Sequence, residues 1–298
     1  MPTFWPSATS SNVDLAFTRP VTYKVGIMSD RFLIFVPAYN CENQVPRVIA
    51  DLACLTDEPG KFAIALIENR STDSTLRRAE ASLDACPLPD KLLIQNDENY
   101  NLGGSHKVAF DFARAEGYEY VIVLHGDDQG SIRDILPLLR KGGHRNLDAL
   151  LGARFMKGST LQGYSMLRTW ANVTFNLIFS AVAGKRFYDL GSGLNLFRRS
   201  IFDNGFHLKF ADNLTFNYYL VFGLADTGKR LAFFPINWRE DDQISNAKLF
   251  TQGITMLKML GQRIRSKQAF LRAEHRITPR SSYPATVVRR WSPSEDPA

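Results

Sequence analysis

Residues 121–129 of this chain read VIVLHGDDQ, an apolar run that ends abruptly in two carboxylates and an amide. Branched apolar residues in a short run predict a buried β-strand. Such a strand would deliver Asp127, Asp128 and Gln129 to its carboxyl end. Hard divalent cations prefer oxygen ligands. The stretch therefore predicts a strand end that binds a metal ion and the phosphate groups the ion accompanies.

Apolar runs and helical patterns alternate around this strand, and this alternation predicts a largely parallel α/β sheet with helices on both faces, as in Rossmann-like nucleotide-binding folds. The second half of the chain is less regular. We predict strands over residues 32–36, 62–67, 91–95, 120–124, 149–155, 194–197 and 230–236. Helices are predicted over residues 44–55, from 71–73 to 83, from 103 to 113, and over 132–139, 167–182 and 212–222.

Three regions follow from composition: an N-terminal extension over residues 1–29, one α/β domain over 30–248, and a C-terminal segment over 249–298. Apolar residues at partly helical spacing predict an amphipathic helix near 249–270, packed on the domain or lying on a membrane surface. The last twenty residues, rich in Pro, Ser and charge, are predicted to be a disordered basic tail.

Charge and targeting signals bear on partners and location. The net charge is +6, with basic residues concentrated near the C-terminus, and no nucleic-acid motif accompanies them, so we expect no nucleic-acid partner. Three cysteines without metal or redox spacing fit reduced thiols. The N-terminus lacks the features of a secretion signal, and residues 173–183 are too short to span a membrane. We expect a cytoplasmic protein, with peripheral contact at the inner membrane face left open.

Polar residues follow the first, second and fourth predicted strands, and the carboxyl ends of parallel strands meet in one crevice. Glu68 or Asn69 can hydrogen-bond a base edge or a ribose, while Asp127 can hold a metal that bridges phosphates. The polar sets that we expect to converge are Pro37, Tyr39 and Asn40; Glu68, Asn69 and Asp73; and His125, Gly126, Asp127, Asp128 and Gln129.

Six motifs, spread over about residues 31–248, resemble the ordered blocks of family 2 glycosyltransferases of the GT-A fold. The similarity is greatest to the dolichol-phosphate mannosyltransferase-like branch. The motifs are VPAYN at 36–40, ENRSTDST at 68–75, NLGG at 101–104, HGDDQ at 125–129, LGARF at 151–155 and DLGSG at 189–193. The resemblance implies inverting transfer of a sugar from a UDP- or GDP-sugar, usually with Mg²⁺ or Mn²⁺.

The resemblance also assigns site residues. It implies that Asp127 binds the metal and that Gln129 is a second ligand. His125 replaces the first carboxylate of the family's Asp-x-Asp, and it would contact phosphate, bind the metal or be structural. Glu68 and Asn69 replace a paired Asp-Asp, which leaves the base open. The implied donor-binding residues are Pro37, Tyr39, Asn40, Glu68, Asn69, Asp73, Gly103, Gly104, His125 and Gly126.

Cleavage of the donor leaves negative charge on the diphosphate, and the site must stabilise it. The candidates for this task, or for binding an anionic acceptor, are Arg154, Arg168, Ser192, Arg239 and Lys248, with a surface ion pair as the ordinary alternative for each cation. We favour Arg239 as catalytic, because residues 238–248 resemble the family's Arg-containing loop that ends in Ser-Lys.

The acceptor decides whether the site needs a base. A polyprenyl phosphate oxygen is already anionic, whereas a sugar hydroxyl needs a carboxylate to take its proton. Asp212 is the candidate base, and a helix N-cap is its alternative role. The favoured hypothesis is transfer to a lipid phosphate. Transfer to a hydroxyl of a growing glycan, and an inactive nucleotide-binding regulator suggested by His125 and Asn69, remain alternatives.

Overall fold

The computed structural model describes residues 30–58, 61–240 and 249–291. It confirms the predicted α/β class with a mostly parallel central sheet. The strands are β1 Arg31–Ala38, β2 Lys61–Glu68, β3 Lys91–Asn96, β4 Tyr120–Leu124, β5 Ala149–Ala153, β6 Thr160–Gln162, β7 Leu194–Arg198, β8 Leu231–Pro235, β9 Asn237–Arg239 and β10 Ala285–Trp291. The α-helices are α1 Val45–Asp51, α2 Thr75–Ala85, α3 Asn101–Ala115, α4 Leu136–Arg140, α5 Met166–Ala183, α6 Phe216–Asp226, α7 Leu249–Arg265 and α8 Lys267–Arg272.

Strand β1 lies at the centre of the nucleotide-binding half, paired in parallel with β2 and β4. Its side chains are buried on both faces: Leu33 and Phe35 join one hydrophobic cluster, while Phe32, Ile34 and Val36 join the other. A strand covered on both faces reads as a continuous apolar run rather than an alternating one. This arrangement places the carboxyl ends of β1, β2 and β4 at one edge of the sheet.

The eight-stranded sheet has the order β10-β3-β2-β1-β4-β7-β5-β8. Strand β7 runs antiparallel between β4 and β5, so its preceding loop, which contains the DLGSG motif, lies beside the end of β4. The prediction missed a two-stranded ribbon formed by β6 and β9. Each of these strands has three residues, too few for an alternating pattern to be recognised. Residues 238–239, predicted to begin a loop, therefore belong to a strand.

The prediction of a disordered C-terminal tail was wrong for residues 285–291. These residues form β10, which pairs antiparallel with β3 at the edge of the sheet. The Arg289 guanidinium donates hydrogen bonds to the carboxylates of Glu80 and Asp84 in α2, and Trp291 Nε1 donates to Asp84 at 2.8 Å. Without β10, the edge of β3 that faces away from β2 would leave its backbone N–H and C=O groups unpaired. An open edge of this kind accepts a further strand. The preceding amphipathic helix is present as α7, followed by α8.

No helix within the described ranges combines the length and the hydropathy that crossing a membrane requires. Helix α5 comes nearest in length, with 18 residues, but it contains Arg168, Asn172 and Asn176. The structure buries only Asn176 and Phe179 of its residues, so α5 lies on the surface of the domain.

Candidate active site

A cleft of about 440 Å³ opens at the carboxyl ends of β1 and β4, between those strands and the start of α3. It brings together residues from five separate parts of the chain, among them residues after β1, β2 and β4, where the sequence predicted that polar residues converge. Its lining residues are Pro37, Ala38, Tyr39, Cys41, Asn69, Asn99, Asn101, Leu102, Ser105, His125, Gly126, Asp127, Asn213 and Leu214. We refer to it as the donor cleft.

Backbone contacts hold the HGDDQ motif against its neighbours. The N–H of Gly126 donates to the carbonyl of Pro37 at 3.1 Å, and that of His125 donates to the carbonyl of Gly193 at 3.1 Å. A Cβ atom on Gly126 would lie 2.7 Å from the Pro37 carbonyl oxygen. The motif thus needs glycine at position 126, because the two strand ends approach too closely for a side chain.

Asp127 presents one uncommitted oxygen to the donor cleft. Its Oδ1 accepts a hydrogen bond from the N–H of Gln129 at 3.2 Å, and its Oδ2 lies 3.8 Å from His125 Nδ1. Within the described ranges, Oδ2 accepts no hydrogen bond, and His125 Nε2 is buried without a partner. The Oδ2 atom of Asp127 is therefore available to a bound metal ion or phosphate, and the His125 imidazole adds a buried ring nitrogen whose hydrogen-bonding capacity is unused.

These residues fit a divalent cation only in part. No group of three or more His, Cys, Asp or Glu side chains in the described part of the chain is arranged to hold a metal by itself. Mg²⁺ commonly takes one or two carboxylates from a protein and its other ligands from water and substrate phosphates. Asp127 suits that role. Gln129 lines a neighbouring cleft rather than the donor cleft, and its role as a second ligand stays a prediction.

The neighbouring cleft, of about 340 Å³, lies beyond Asp128. Asp128 has a left-handed backbone, with φ of 61°, and its carboxylate pairs with Arg47 at 2.5 Å and with Arg239. Arg239 Nε also donates to the Asp128 carbonyl at 2.9 Å. Arg239, predicted to stabilise the diphosphate, therefore contacts the loop after β4 from β9, and about half of its side chain is exposed. Arg47, which the sequence analysis missed, joins it there, and we call this the arginine cleft.

Glu68 does not line the donor cleft, and its contact with the donor stays a prediction. It is buried, its Oε1 accepts from the N–H of Ser71 at 2.5 Å, and its Oε2 accepts from Gln95 Nε2 at 2.8 Å. Both carboxylate oxygens are therefore occupied by hydrogen bonds that hold the loop after β2 in place. Asn69 does line the donor cleft, but its Oδ1 accepts from Asn96 Nδ2 and the Tyr100 N–H.

Asn40 and Asp73 connect the loops after β1 and β2. Asn40 Oδ1 accepts from the N–H of Thr72 at 2.8 Å, and Asp73 accepts from Thr75 and from the N–H of Glu42. Burial alone would raise the pKa of Asp73, but these hydrogen bonds lower it below its ordinary value. Neither side chain lines the donor cleft, whereas Tyr39 does and is 47% exposed.

The two glycines of the NLGG motif serve packing. Gly103 and Gly104 are buried in the first turn of α3, and the Gly103 N–H donates to the Asp212 carbonyl at 2.5 Å. A Cβ on Gly103 would lie 2.5 Å from the Ala211 carbonyl oxygen. These glycines let the 211–212 backbone reach the helix end, and neither lines the donor cleft, so their predicted contact with the donor is not seen.

Three of the predicted phosphate-binding residues have internal partners. The buried guanidinium of Arg154 forms a paired contact with Asp189, at 2.7 and 2.9 Å, which raises its pKa despite burial. Arg168 pairs with Glu240. Buried Ser192 Oγ accepts from the Leu194 N–H at 3.2 Å. Arg154 and Ser192 are buried, and the phosphate-binding role of these residues stays a prediction. Lys248 lies outside the described residues.

Asp212 is neither a helix cap nor a residue of the donor cleft. Helix α6 begins later, at Phe216. Asp212 Oδ1 accepts from Lys107 Nζ at 2.6 Å and from the Tyr283 hydroxyl at 2.7 Å. Lys107 is fully buried in α3, and burial lowers its pKa to about 8. The sequence analysis missed Lys107 and Tyr283, although a lysine beside Val108 and Phe110 on an apolar helix was a detectable signal.

Cys41 is the thiol that lines the donor cleft. Burial raises its pKa to about 12, so the thiol stays protonated at neutral pH. A protonated thiol is a poor nucleophile and a poor metal ligand. Asp127 and His125 are therefore the remaining candidates in the cleft for binding a metal ion or phosphate.

Solved structures share this fold. Glucosyl-3-phosphoglycerate synthase from Mycobacterium tuberculosis, in complex with Mn²⁺, UDP and phosphoglyceric acid, superposes with a TM-score of 0.55 and 16% identity, and the match covers 89% of this chain and 90% of that chain. A second structure, described as a mycobacterial protein, has a TM-score of 0.57 and 14% identity, covering 78% and 74% of the two chains. Structural similarity at this low sequence identity shows that the proteins share a fold.

Two curated proteins are similar in sequence. Dodecaprenyl-phosphate galacturonate synthase of Rhizobium johnstonii is 25% identical over 176 residues, which are 59% of this chain and 50% of that protein, so the chain spans about half the length of this relative. Dolichyl-phosphate β-glucosyltransferase of Dictyostelium discoideum is 22% identical over 236 residues, covering 76% and 71%.

The model of glycosyl transferase family 2 matches residues 33–206. This range contains most of β1, the donor cleft's strand ends and the HGDDQ motif, and it is more than half of the 298-residue chain. The match confirms the family predicted from the six motifs. With the fold and the site geometry in agreement, the chain belongs to glycosyl transferase family 2.

Proposed function

We propose that the protein transfers a sugar from a nucleotide diphosphate sugar to the phosphate of a polyprenyl phosphate, at Asp127 in the donor cleft. The observation that supports the acceptor class is that the cleft offers no carboxylate base besides the predicted metal ligand. Among the described residues that line the cleft, Asp127 is the one carboxylate. Asp212, the candidate base, is held by Lys107 and Tyr283. A phosphate oxygen is already anionic and can attack without a base.

Asp127 would hold a Mg²⁺ or Mn²⁺ ion, which supplies charge stabilisation to the departing diphosphate when bound. The chain's own contribution is to orient the donor. Pro37, Tyr39 and Asn69, which line the cleft, would contact the nucleotide, and His125 would offer a hydrogen bond beside Asp127. Arg239 and Arg47 would attract the acceptor phosphate at the adjoining arginine cleft.

The comparisons support the acceptor and the donor. Both curated relatives carry a polyprenyl phosphate in their names, and the mycobacterial synthase was solved with UDP and Mn²⁺. A UDP-sugar is therefore the first donor to test, and work on a lipid acceptor would bring the protein to the inner face of a membrane as a peripheral enzyme.

The test is a transfer assay with a panel of UDP- and GDP-sugars, Mn²⁺ and a polyprenyl phosphate, with Asp127→Asn as the decisive variant. We expect product with one donor, and a loss of about 100-fold or more in Asp127→Asn, as for other groups that stabilise the transition state. Asp111→Asn is the matched control, because Asp111 pairs with Arg114 on the surface.

Three outcomes would contradict the proposal. Asp127→Asn working at the parent rate under chelation would remove the metal role. Transfer to a glycan hydroxyl in preference to the lipid phosphate would replace the acceptor. Binding of a nucleotide sugar without transfer to any acceptor would identify an inactive regulator.

A further inference from the structure

Helix α5 exposes an apolar face along its whole length. Met166 is 76% exposed, Leu167 is 77% exposed and Trp170 is 67% exposed. The exposed positions recur every three or four residues, which places them on one side of the helix. The exposed residues of the helix, which we call the α5 apolar face, are Met166, Leu167, Trp170, Ala171, Thr174, Leu177, Ile178 and Ala181.

Helix α7 lies beside α5 and also exposes apolar side chains. Arg263 of α7 donates to the Val182 carbonyl at 2.8 Å and pairs with Asp226. These contacts dock α7 against α5 and α6. On its outer side α7 exposes Ile254, Leu257 and Ile264. Contiguous exposed apolar residues on a folded domain mark an interaction surface.

The charge around this surface has one sign. Between Asp148 and Asp203 the sequence has a single acidic residue, Asp189, and that residue is buried against Arg154. Residues 249–273 contain none. Exposed basic residues are present in both segments, namely Lys157, Lys185, Arg186, Lys258 and Arg265. An apolar face formed by two segments that carry exposed basic residues and no exposed acid of their own matches the interface of an anionic bilayer.

We propose that the α5 apolar face inserts into the interfacial region of an anionic lipid bilayer, with α5 parallel to the membrane plane. The proposal rests on the proposed function in one respect, since a lipid acceptor gives the contact its purpose. A second copy of the chain is a poorer occupant, because a symmetric contact would bring the same basic residues together without acidic partners.

The position of α5 connects this surface to the site. Arg168, in the first turn of α5, pairs with Glu240, the residue after Arg239 of β9. The Met166 end of the helix therefore lies next to the arginine cleft. A lipid phosphate held in the bilayer beneath Leu167 and Trp170 would reach Arg239 without leaving the interface.

The experiment is co-sedimentation of the full chain with vesicles of phosphatidylglycerol and phosphatidylcholine, compared with vesicles of phosphatidylcholine alone. The test variant is Leu167→Gln/Trp170→Gln. The matched control is Ile277→Gln, which changes an apolar residue that is 89% exposed outside α5 and α7. We expect the parent and the control to bind the anionic vesicles, and the double variant to partition roughly tenfold or more weakly, as removal of two buried apolar side chains implies.

Equal binding of the double variant and the parent would overturn the proposal, as would a parent that leaves both vesicle types unbound. A parent that sediments as a dimer in solution, is monomeric in the double variant and ignores vesicles would assign the face to a second copy. Thermal denaturation with and without UDP checks that the double variant is folded.

A separate assay keeps the two proposals distinguishable. Transfer to a short-chain polyprenyl phosphate, dissolved without vesicles, should be equal in the parent and the double variant. If no acceptor is glycosylated but vesicle binding still depends on Leu167 and Trp170, the membrane surface stands and the proposed reaction falls.

Discussion

Lys107 Nζ lies 2.6 Å from a carboxylate oxygen of Asp212, and the lysine side chain has no exposure to solvent. The ammonium also donates to the Phe210 carbonyl at 2.6 Å and to the Tyr283 hydroxyl at 3.1 Å. The pair connects α3 to the loop before α6 and to the C-terminal segment. The Asp212 carboxylate thus neutralises the buried positive charge of Lys107.

The first prediction separates this role from that of a base. Asp212→Asn should lower the free energy of unfolding by about 3 kcal/mol, because it leaves a buried ammonium without its carboxylate. The double variant Lys107→Met/Asp212→Asn should recover part of that loss in urea unfolding. Equal stability of the Asp212→Asn variant and the parent would contradict the structural role.

The same variant tests the acceptor class. At a temperature where it is folded, Asp212→Asn should retain transfer to polyprenyl phosphate within about tenfold, because loss of a general base costs about 10²- to 10⁴-fold. A larger loss, with nucleotide-sugar binding intact in calorimetry, would identify Asp212 as a base.

A second prediction concerns Arg239, which contacts both the backbone and the carboxylate of Asp128. Arg239→Lys keeps the charge but cannot donate from both positions, so kcat/KM for the acceptor should fall roughly tenfold or more. Arg140→Lys is the control, since Arg140 forms a comparable pair with Glu58 on the surface. Equal losses in the two variants would show that Arg239 has no special role.

A third prediction uses Gly193. A Cβ at this position would lie 2.8 Å from His125 Cγ, so Gly193→Ala should displace the imidazole. We expect weaker stabilisation by UDP and Mn²⁺ in thermal denaturation, because ligand stabilisation falls with affinity. Gly261→Ala introduces the same methyl group where no atom lies within 4 Å, and it should bind the nucleotide as the parent does. Unchanged binding in Gly193→Ala would exclude His125 from the donor site.

A fourth prediction concerns acid stability. Burial lowers the pKa of His106 and of His207 to about 3, from an ordinary value of 6.5. The unfolded chain therefore binds more protons than the folded one between these values, and the free energy of unfolding should fall as pH drops below 6.5. Each histidine contributes a slope of about 1.4 kcal/mol per pH unit well inside that window.

His207→Phe checks this slope. Phenylalanine suits the site, because His207 lies among Phe110, Phe202 and Phe206. Urea unfolding at pH 7, 6 and 5 should show a shallower loss of stability in the variant. Parallel pH profiles would mean that the folded state protonates His207 as readily as the unfolded chain does.

The strands and the location of the cleft followed from local patterns. β4 spans residues 120–124 as predicted, and β1 to β3 extend the predicted runs by a few residues. These strands are buried on both faces, so their apolar runs are continuous and their polar ends are abrupt. The short strands β6 and β9 and the edge strand β10 were not predicted. They have too few buried positions, or too polar a setting, to produce a recognisable apolar pattern.

The sequence by itself determined the family, the buried strands β1 to β4 and the place where Asp127 emerges, because these depend on runs of neighbouring residues. Tertiary structure alone decided which polar groups remain available. Glu68 accepts a hydrogen bond from Gln95, and Arg154 forms an ion pair with Asp189. Asp212 forms an ion pair with Lys107 and accepts a hydrogen bond from Tyr283. A side chain whose hydrogen-bonding atoms are occupied by a residue distant in the chain looks the same in sequence as one that awaits a ligand, and only spatial proximity distinguishes them.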